Sequence, residues 1–321
     1  MIDVSIIIVS YNTRKLLADC LATISAGVQG FSAETLVVDN ASSDGSGDMV
    51  ARDFDWVRLI HNNRNAGFAA ANNMAIREAK GRYILLLNSD TRLYPGAVAE
   101  MIRFMDEHPR VGYCGPCLLN PDGSHQPSAR RFPTVLSAGF STLGLTHRFP
   151  SCRHTSDLHG LHGDRRHFRA DWLSGACLMV RRDVLSQVGL LDEGFFMYFE
   201  ETDWCRSMAQ RGWEGWYVPT AKVVHLGGGS VVSGNGVRPF AGAQPQYWVH
   251  SSRRYMRRYH GFLGAVTSDS IQLLLYTLVW LRHRPRRTDR SRIKAHNAAA
   301  TIRYLLHRAQ NTVAIEKAST A

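Results

Sequence analysis

Tyr83-Ile84-Leu85-Leu86-Leu87 runs without a charge and stops at Asn88-Ser89-Asp90-Thr91. A continuous apolar run of this length, bounded by polar residues, predicts a strand buried on both faces of a parallel sheet. Ligands of open α/β sheets bind just beyond the carboxyl ends of such strands, which is where Asn88, Ser89 and Asp90 stand. A carboxylate and an amide two residues apart at a strand end can hold a hard divalent cation and the diphosphate it bridges.

The preceding chain repeats the pattern. Val4-Ser5-Ile6-Ile7-Ile8-Val9 is a β-branched strand run ending at Ser10-Tyr11-Asn12, after which Thr13 is expected to cap a helix with Leu17, Cys20, Leu21 and Ile24 on its apolar face. Leu36-Val37-Val38 predicts a second strand, ending in Asp39-Asn40-Ala41-Ser42-Ser43-Asp44-Gly45. Val57 to Ile60 predicts a third, followed by Asn63, Asn65, Gly67 and an Ala-rich helix from Phe68 to Ala79. Alternating short strands and amphipathic helices specify right-handed βαβ units and a mostly parallel sheet. Each strand ends in Ser, Asn or Asp, so polar groups converge on one edge.

Beyond Asp90 a helix is expected from Pro95 to His108, then a strand at Val111 to Cys114 and an Asn120-Pro121-Asp122-Gly123 turn. Residues 130–169 are basic, His-rich and weakly periodic, and read as a long mobile insertion loop. Asp171 to Val180 predicts a strand, and Phe195 to Phe199 delivers Glu200, Glu201 and Asp203 to a helix start, where the dipole favours carboxylates. His225 precedes Gly227-Gly228-Gly229-Ser230, a flexible hinge.

The last eighty residues differ in character. Arg253, Arg254, Arg257 and Arg258 precede a mostly apolar stretch, Phe262 to Leu281, and Arg282, Arg284, Arg286 and Arg287 follow it. A spanning helix needs about 20 apolar residues, whereas Asp269 and Gln272 interrupt this one. An Arg-flanked apolar helix of this kind suits contact in the plane of an anionic membrane. The expected division is an α/β domain over 1–240 and a helical, basic, membrane-associating region over 241–321. The net charge of +11 fits phosphate-bearing partners. Six scattered Cys and no signal-like start predict a reduced, cytoplasmic protein at the inner face of the cell membrane.

Together these motifs resemble glycosyltransferase family 2, in its bacterial rhamnosyltransferase-like branch. The resemblance covers about Ser5 to Gly261. It rests on Ser10-Tyr11-Asn12, Val38 to Gly45, Asn65-Ala66-Gly67-Phe68 through Asn72-Asn73, Leu87-Asn88-Ser89-Asp90, Trp172 to Ala176, Phe195 to Cys205, and His225 to Ser230. It implies a GT-A fold (a Rossmann-like nucleotide-diphospho-sugar transferase) with a carboxy-terminal helical appendage. The implied activity is inverting sugar transfer from a nucleoside diphosphate sugar to a polyprenyl-diphosphate-linked or glycan acceptor. The favoured donor is dTDP-rhamnose, with UDP-sugars as the alternative.

On this resemblance Ser10, Tyr11, Asn12, Asp39, Asn40, Asp44, Asn65, Gly67, Asn72, Asn88, Ser89, Asp90, Trp172 and Gly175 line the donor pocket. Asp90 and His225 would ligate Mg²⁺ or Mn²⁺, although Asn88 stands where many relatives have the first Asp of Asp-x-Asp. Glu201 falls at the base position, with Glu200 and Asp203 as competitors. Ser230, Arg253 and Arg254 are assigned, from charge and position, to the acceptor diphosphate.

Other readings fare worse. Cys114-Gly115-Pro116-Cys117 continues as strand and turn rather than into a helix, unlike a redox pair. His154, His159, His162 and His167 match no metal-site spacing and suggest a solvated basic loop. Nucleic-acid binding lacks any recognition motif, and a non-catalytic membrane scaffold has no need of Asp39, Asp90, Glu201 and His225 together.

Overall fold

A computed structural model describes residues 2–143, 145, 149, 151–152, 154, 156–162, 165–227, 246–285 and 288–306. The predicted strands are β1 (Val4–Ser10), β2 (Ala33–Asn40), β3 (Val57–Asn62) and β4 (Tyr83–Asn88). They are followed by β5 (Thr91–Leu93), β6 (Val111–Leu119), β7 (His125–Gln126), β8 (Ala129–Arg130), β9 (Phe168–Arg169), β10 (Trp172–Leu173), β11 (Cys177–Arg181) and β12 (Glu214–His225). The main sheet runs β3-β2-β1-β4-β11-β6-β12-β5, with β7 and β9 paired at its side. Strands β3, β2, β1 and β4 are mutually parallel. Strand β11 enters antiparallel between β4 and β6, which makes the sheet mixed.

Alternate residues of the central strands feed two cores. Ile6, Ile8, Leu85 and Leu87 join one face, while Ile7, Ile84 and Leu86 join the other. The parallel register levels the strand ends along one sheet edge. Ser10 pairs with Asp39, Val9 with Asn88, and Asp39 with His61. The polar residues that end the strands therefore lie side by side.

The expected strand over 171–180 is split into β10 and β11 by Ser174-Gly175-Ala176, because Ser174 turns away to donate its N–H to Ser128 O. The β10–β8 pair forms a small separate sheet. The 130–169 segment is not a structureless loop. Its described residues include β8, β9 and the helices Ser137–Thr142 and His159–His162. His159, expected to be solvated, is buried; its Nε2 accepts N–H groups from Ser128 and Ala129 at 3.2 and 3.1 Å. Cys114 and Cys117 sit within β6, and burial pushes the Cys114 thiol well above its usual range, as an inert core thiol requires.

The chain forms two compact units: Met1–Phe132, Asp157–Phe196 and Glu200–Ser230 make the first, and Pro133–Ser156, Met197–Phe199 and Val231–Ala321 the second. In the second, the helix Gln246–His283 breaks at Gly261 (φ 71°), and a further helix spans Asp289–Leu306. Arg253 pairs with Asp269 at 2.5 Å and donates to the carbonyls of Tyr304 and Leu305, closing the end of that second helix. Beyond Gly261 the buried positions are Ala265, Ser268 and Gln272, while Phe262, Leu263, Val266, Leu274, Leu278 and Leu281 are exposed. The apolar stripe thus faces outward, the reverse of a soluble amphipathic helix.

Candidate active site

Several residues at the strand ends secure the frame. Thr13 stands at the N-cap of the helix Arg14–Leu21 but makes no side-chain cap hydrogen bond. Its hydroxyl instead donates to Ser89 Oγ at 3.0 Å and meets Ser10 Oγ at 2.9 Å, a buried chain of hydroxyls that ties β1 to the end of β4. Asp44 takes over the capping: it accepts N–H groups from Arg14 and Ser46. Burial raises the Asp44 carboxyl, but the Ser46 hydroxyl and these N–H groups outweigh it, so its pKa lies below the usual value. Asn12 (φ 54°) accepts from Ser43 N at 2.8 Å, locking the two loops together.

Asn40 and Asn65 are likewise bonded to protein. Asn40 Nδ2 donates to Asn65 Oδ1 at 2.8 Å, and Asn40 Oδ1 accepts Ala66 N at 3.0 Å. Gly67 (φ 82°) is required there, since a Cβ would lie 2.4 Å from Phe196 O. That approach lets Phe68 N donate to Phe196 O at 2.7 Å, anchoring the run that leads to Glu200. Asn72 turns back onto Phe68 O. Tyr11 is half-buried and Asn12 exposed at the same edge. Asp39 accepts Ser42 N through Oδ1, and its Oδ2 faces Gly47, where a Cβ would come within 2.7 Å.

Asp90 and His225 meet. The pairing of β5 with β12 sets Thr91 opposite His225, and Leu226 N donates to Asp90 O at 3.0 Å. His225 Nε2 lies 3.4 Å from Asp90 Oδ1 and 3.5 Å from Asn88 Nδ2. On the other side of the ring, Nδ1 bonds to Gln126 Oε1 at 2.7 Å. Sequence reasoning missed Gln126, a half-buried residue just past a turn with no local signature of function.

The carboxyl pair opens the helix Glu200–Gln210. It follows Tyr198 and Phe199, both at φ 69°, a strained conformation for aromatic residues. Glu201 packs beside Gly175, whose Cβ position lies 3.6 Å from the Glu201 Cβ and Cγ. Next in the chain, Ala176 O accepts Asn88 N at 2.9 Å, which joins Glu201 to the strand end that carries Asp90. One oxygen on each glutamate, Oε2, is buried without a hydrogen-bond partner.

Burial and the neighbouring Glu201 charge push the Glu200 carboxyl well up. Burial also raises Glu201, offset in part by N–H groups of its helix, by Glu200 and by the Arg130 cation. The Arg130 guanidinium lies over the Trp172 ring, 5.7 Å from its centroid, and the indole donates to Arg131 O at 2.8 Å. The two carboxyls titrate as a pair, both held above the usual range by burial, and Glu201 has the Arg130 cation drawing it back down. Asp203 is buried on the same helix. Arg253 is engaged as described above, Arg254 is exposed, and Ser230 lies outside the described residues.

A mixed α/β sheet whose strand ends gather acidic and amide groups, followed by a helix opening on buried carboxyls, has the arrangement expected of a GT-A glycosyltransferase. The profile of Glycosyl transferase family 2 matches residues 5–189, and the chain belongs to that family. An N-acetylglucosaminyl-diphospho-decaprenol L-rhamnosyltransferase of Mycobacterium tuberculosis is 31% identical over 68% of this chain and 75% of the relative. A dTDP-rhamnosyl transferase of Shigella flexneri is 26% identical over 84% of this chain and 81% of its own length. Among solved structures, the mannosyltransferase of Pyrobaculum calidifontis, in complex with GDP-Man and Mn²⁺, superposes with a TM-score of 0.56 at 16% identity, covering 94% of this chain and 85% of that one.

Proposed function

We propose that this glycosyltransferase moves rhamnose from dTDP-rhamnose onto a polyprenyl-diphosphate-linked or polysaccharide acceptor in cell-envelope glycan synthesis, inverting the anomeric centre. The relatives support the sugar and the acceptor class. The observation that carries the chemistry is Glu201 Oε2, buried and unpartnered on a side chain whose Cβ and Cγ pack against Gly175. A buried carboxylate oxygen without a donor suits an incoming hydroxyl. Glu201 takes the proton of the acceptor hydroxyl as the hydroxyl oxygen bonds to the anomeric carbon, and the nucleoside diphosphate leaves with the electrons of the broken C–O bond. Burial and the Glu201 charge push the Glu200 carboxyl up, so it is the less ready of the two to carry a negative charge.

Asp39, with Tyr11 and Asn12 at the same edge, would meet the nucleoside. Asp90 and His225 fit a divalent cation, because a carboxylate oxygen and an imidazole nitrogen 3.4 Å apart are both donors to a metal. Mg²⁺ or Mn²⁺ held there would neutralise the leaving diphosphate. Two protein ligands suffice when phosphate oxygens and water complete the shell.

Membrane association is supported by the outward apolar stripe from Phe262 to Leu281. The helix is long and apolar enough to cross a membrane by length and composition, but the break at Gly261 and the Arg253–Asp269 pair favour lying in the interface. Exposed Arg254, Arg257, Arg258, Arg282 and Arg284 suit an anionic cytoplasmic leaflet.

The test is a thermal-shift screen with dTDP-, UDP- and GDP-sugars, each with and without Mn²⁺. A ligand of the native state raises the melting point by mass action. A Mn²⁺-dependent rise with dTDP-rhamnose that Asp90→Asn abolishes is the expected result; a larger rise with a UDP-sugar would replace the donor, and no rise with any nucleotide would overturn the pocket.

A further inference from the structure

The hydrogen bonds leading away from His225 form a chain whose direction is fixed at its far end. A carboxylate only accepts. Asp122 Oδ1 accepts from Ser124 N at 2.9 Å and from Ser124 Oγ at 2.6 Å. With its proton committed, Ser124 Oγ accepts from Asn120 Nδ2 at 2.9 Å. That orients the Asn120 amide so that Oδ1 accepts from Gln126 Nε2 at 3.0 Å. Gln126 Nε2 also points at His225 O, 3.4 Å away. The Gln126 amide is thereby oriented with Oε1 toward the His225 ring, and an amide oxygen can only accept, so Nδ1 must carry the proton.

The backbone holds this arrangement. Asn120 N donates to Ser124 O and Gly123 N to Asn120 O, closing the turn, and β7 pairs Gln126 with Leu118 of β6. On the opposite side of the ring, Nε2 faces the donor Asn88 Nδ2 and the acceptor Asp90 Oδ1. The Asn88 amide N–H agrees with a lone pair on Nε2, and that lone pair then faces the Asp90 carboxylate oxygen, as two ligands of one cation do.

We infer that the 120–126 turn sets the tautomer of His225, and that Gln126 is the positioning residue that presents the Nε2 lone pair to a divalent cation shared with Asp90. The cation part rests on the metal reading proposed above; the tautomer part does not. Hydrogen-bond partners behind a ligating His fix its ring and raise its basicity, and their loss typically costs about 10–100-fold in metal affinity.

The test uses the full chain labelled with ¹⁵N in its histidine rings, at a pH where an ordinary imidazole is neutral, with His225→Gln identifying the signals. Wild type is expected to give His225 as the Nδ1–H form. Gln126→Leu should raise the Nε2–H form and weaken Mn²⁺ binding, followed by electron paramagnetic resonance, by about 10–100-fold. Gln126→Glu retains an acceptor and should restore both. Asn120→Leu, which frees the Gln126 amide to rotate, should give a smaller shift in the same direction and guards against misfolding of the first variant. A wild-type His225 in the Nε2–H form, or Gln126→Leu with unchanged tautomer and unchanged Mn²⁺ affinity, would overturn the inference. Wild type that binds no Mn²⁺ but keeps a Gln126-dependent Nδ1–H form would uphold the tautomer control and overturn the metal reading.

Discussion

Glu201→Gln separates the base from its competitors. The amide keeps the Cβ and Cγ that touch the Gly175 turn, so packing is retained and only proton acceptance is lost. A positioned general base is worth about 10²–10⁴ in rate, or about 2.7–5.4 kcal/mol of barrier at about 1.36 kcal/mol per tenfold. Turnover should fall by that factor while donor KM stays within about threefold, because the donor contacts are unaltered.

Stability should move the other way. Glu200 and Glu201 both bind their protons more tightly in the fold than in the unfolded chain, whose carboxyls titrate near 4.5. The stability this provides is complete below 4.5 and is lost as pH rises through the folded values. At pH 8 the variant, with one titrating carboxyl fewer, should melt higher than wild type, and the gap should close toward pH 4. Wild-type turnover should have an acid limb above the ordinary carboxylate range, since the base must be free of its proton. The assay is steady-state transfer to a lipid-linked acceptor from pH 5 to 9, with calorimetry on the same samples. Turnover within tenfold of wild type would refute Glu201 as base and move the role to Glu200 or Asp203.

Two further variants test the frame and the surface. Gly67→Ala combines a positive φ with a Cβ only 2.4 Å from the Phe196 carbonyl oxygen, so it should destabilise the protein by more than about 2 kcal/mol and lower the melting point; an unchanged melting point would mean the Phe196 contact is absent. Leu274→Asp with Leu278→Asp places charge on the exposed apolar stripe and should abolish co-sedimentation with anionic vesicles while leaving transfer to a short water-soluble acceptor unchanged; undiminished vesicle binding would refute the interfacial reading.

The strands were legible because the signal is local. Ile6, Ile7 and Ile8, and Ile84 to Leu87, are apolar at consecutive positions, and only a sheet covered on both sides buries them all. The convergence of Ser10, Asp39 and Asp90 followed from strand ends alone, and the carboxyls opening the helix at Glu200 followed from the apolar run Phe195 to Phe199 that leads into it. The family resemblance assigned Asp90 and His225 to one metal site from 135 residues apart, and the β5–β12 register sets His225 Nε2 3.4 Å from Asp90 Oδ1.

Which polar side chains face a ligand and which face the protein is another matter, because a hydrogen bond depends on the positions of both partners. Asp44, Asn40 and Asn65, expected in the donor pocket, also bond to the loops beside them. Arg253 looked available for a diphosphate and is held by Asp269 and a helix end. Gln126 had no signature, yet it lies 2.7 Å from His225 because β6 turns back through β7 beside the end of β12. The sequence by itself determined the sheet, its polar edge and the carboxyl-bearing helix, through periodicities that neighbouring residues carry. Tertiary structure alone decided the hydrogen bonds around the His225 ring, the burial that raises Glu200 and Glu201 and the outward face of the apolar helix, since each depends on groups brought together from distant parts of the chain.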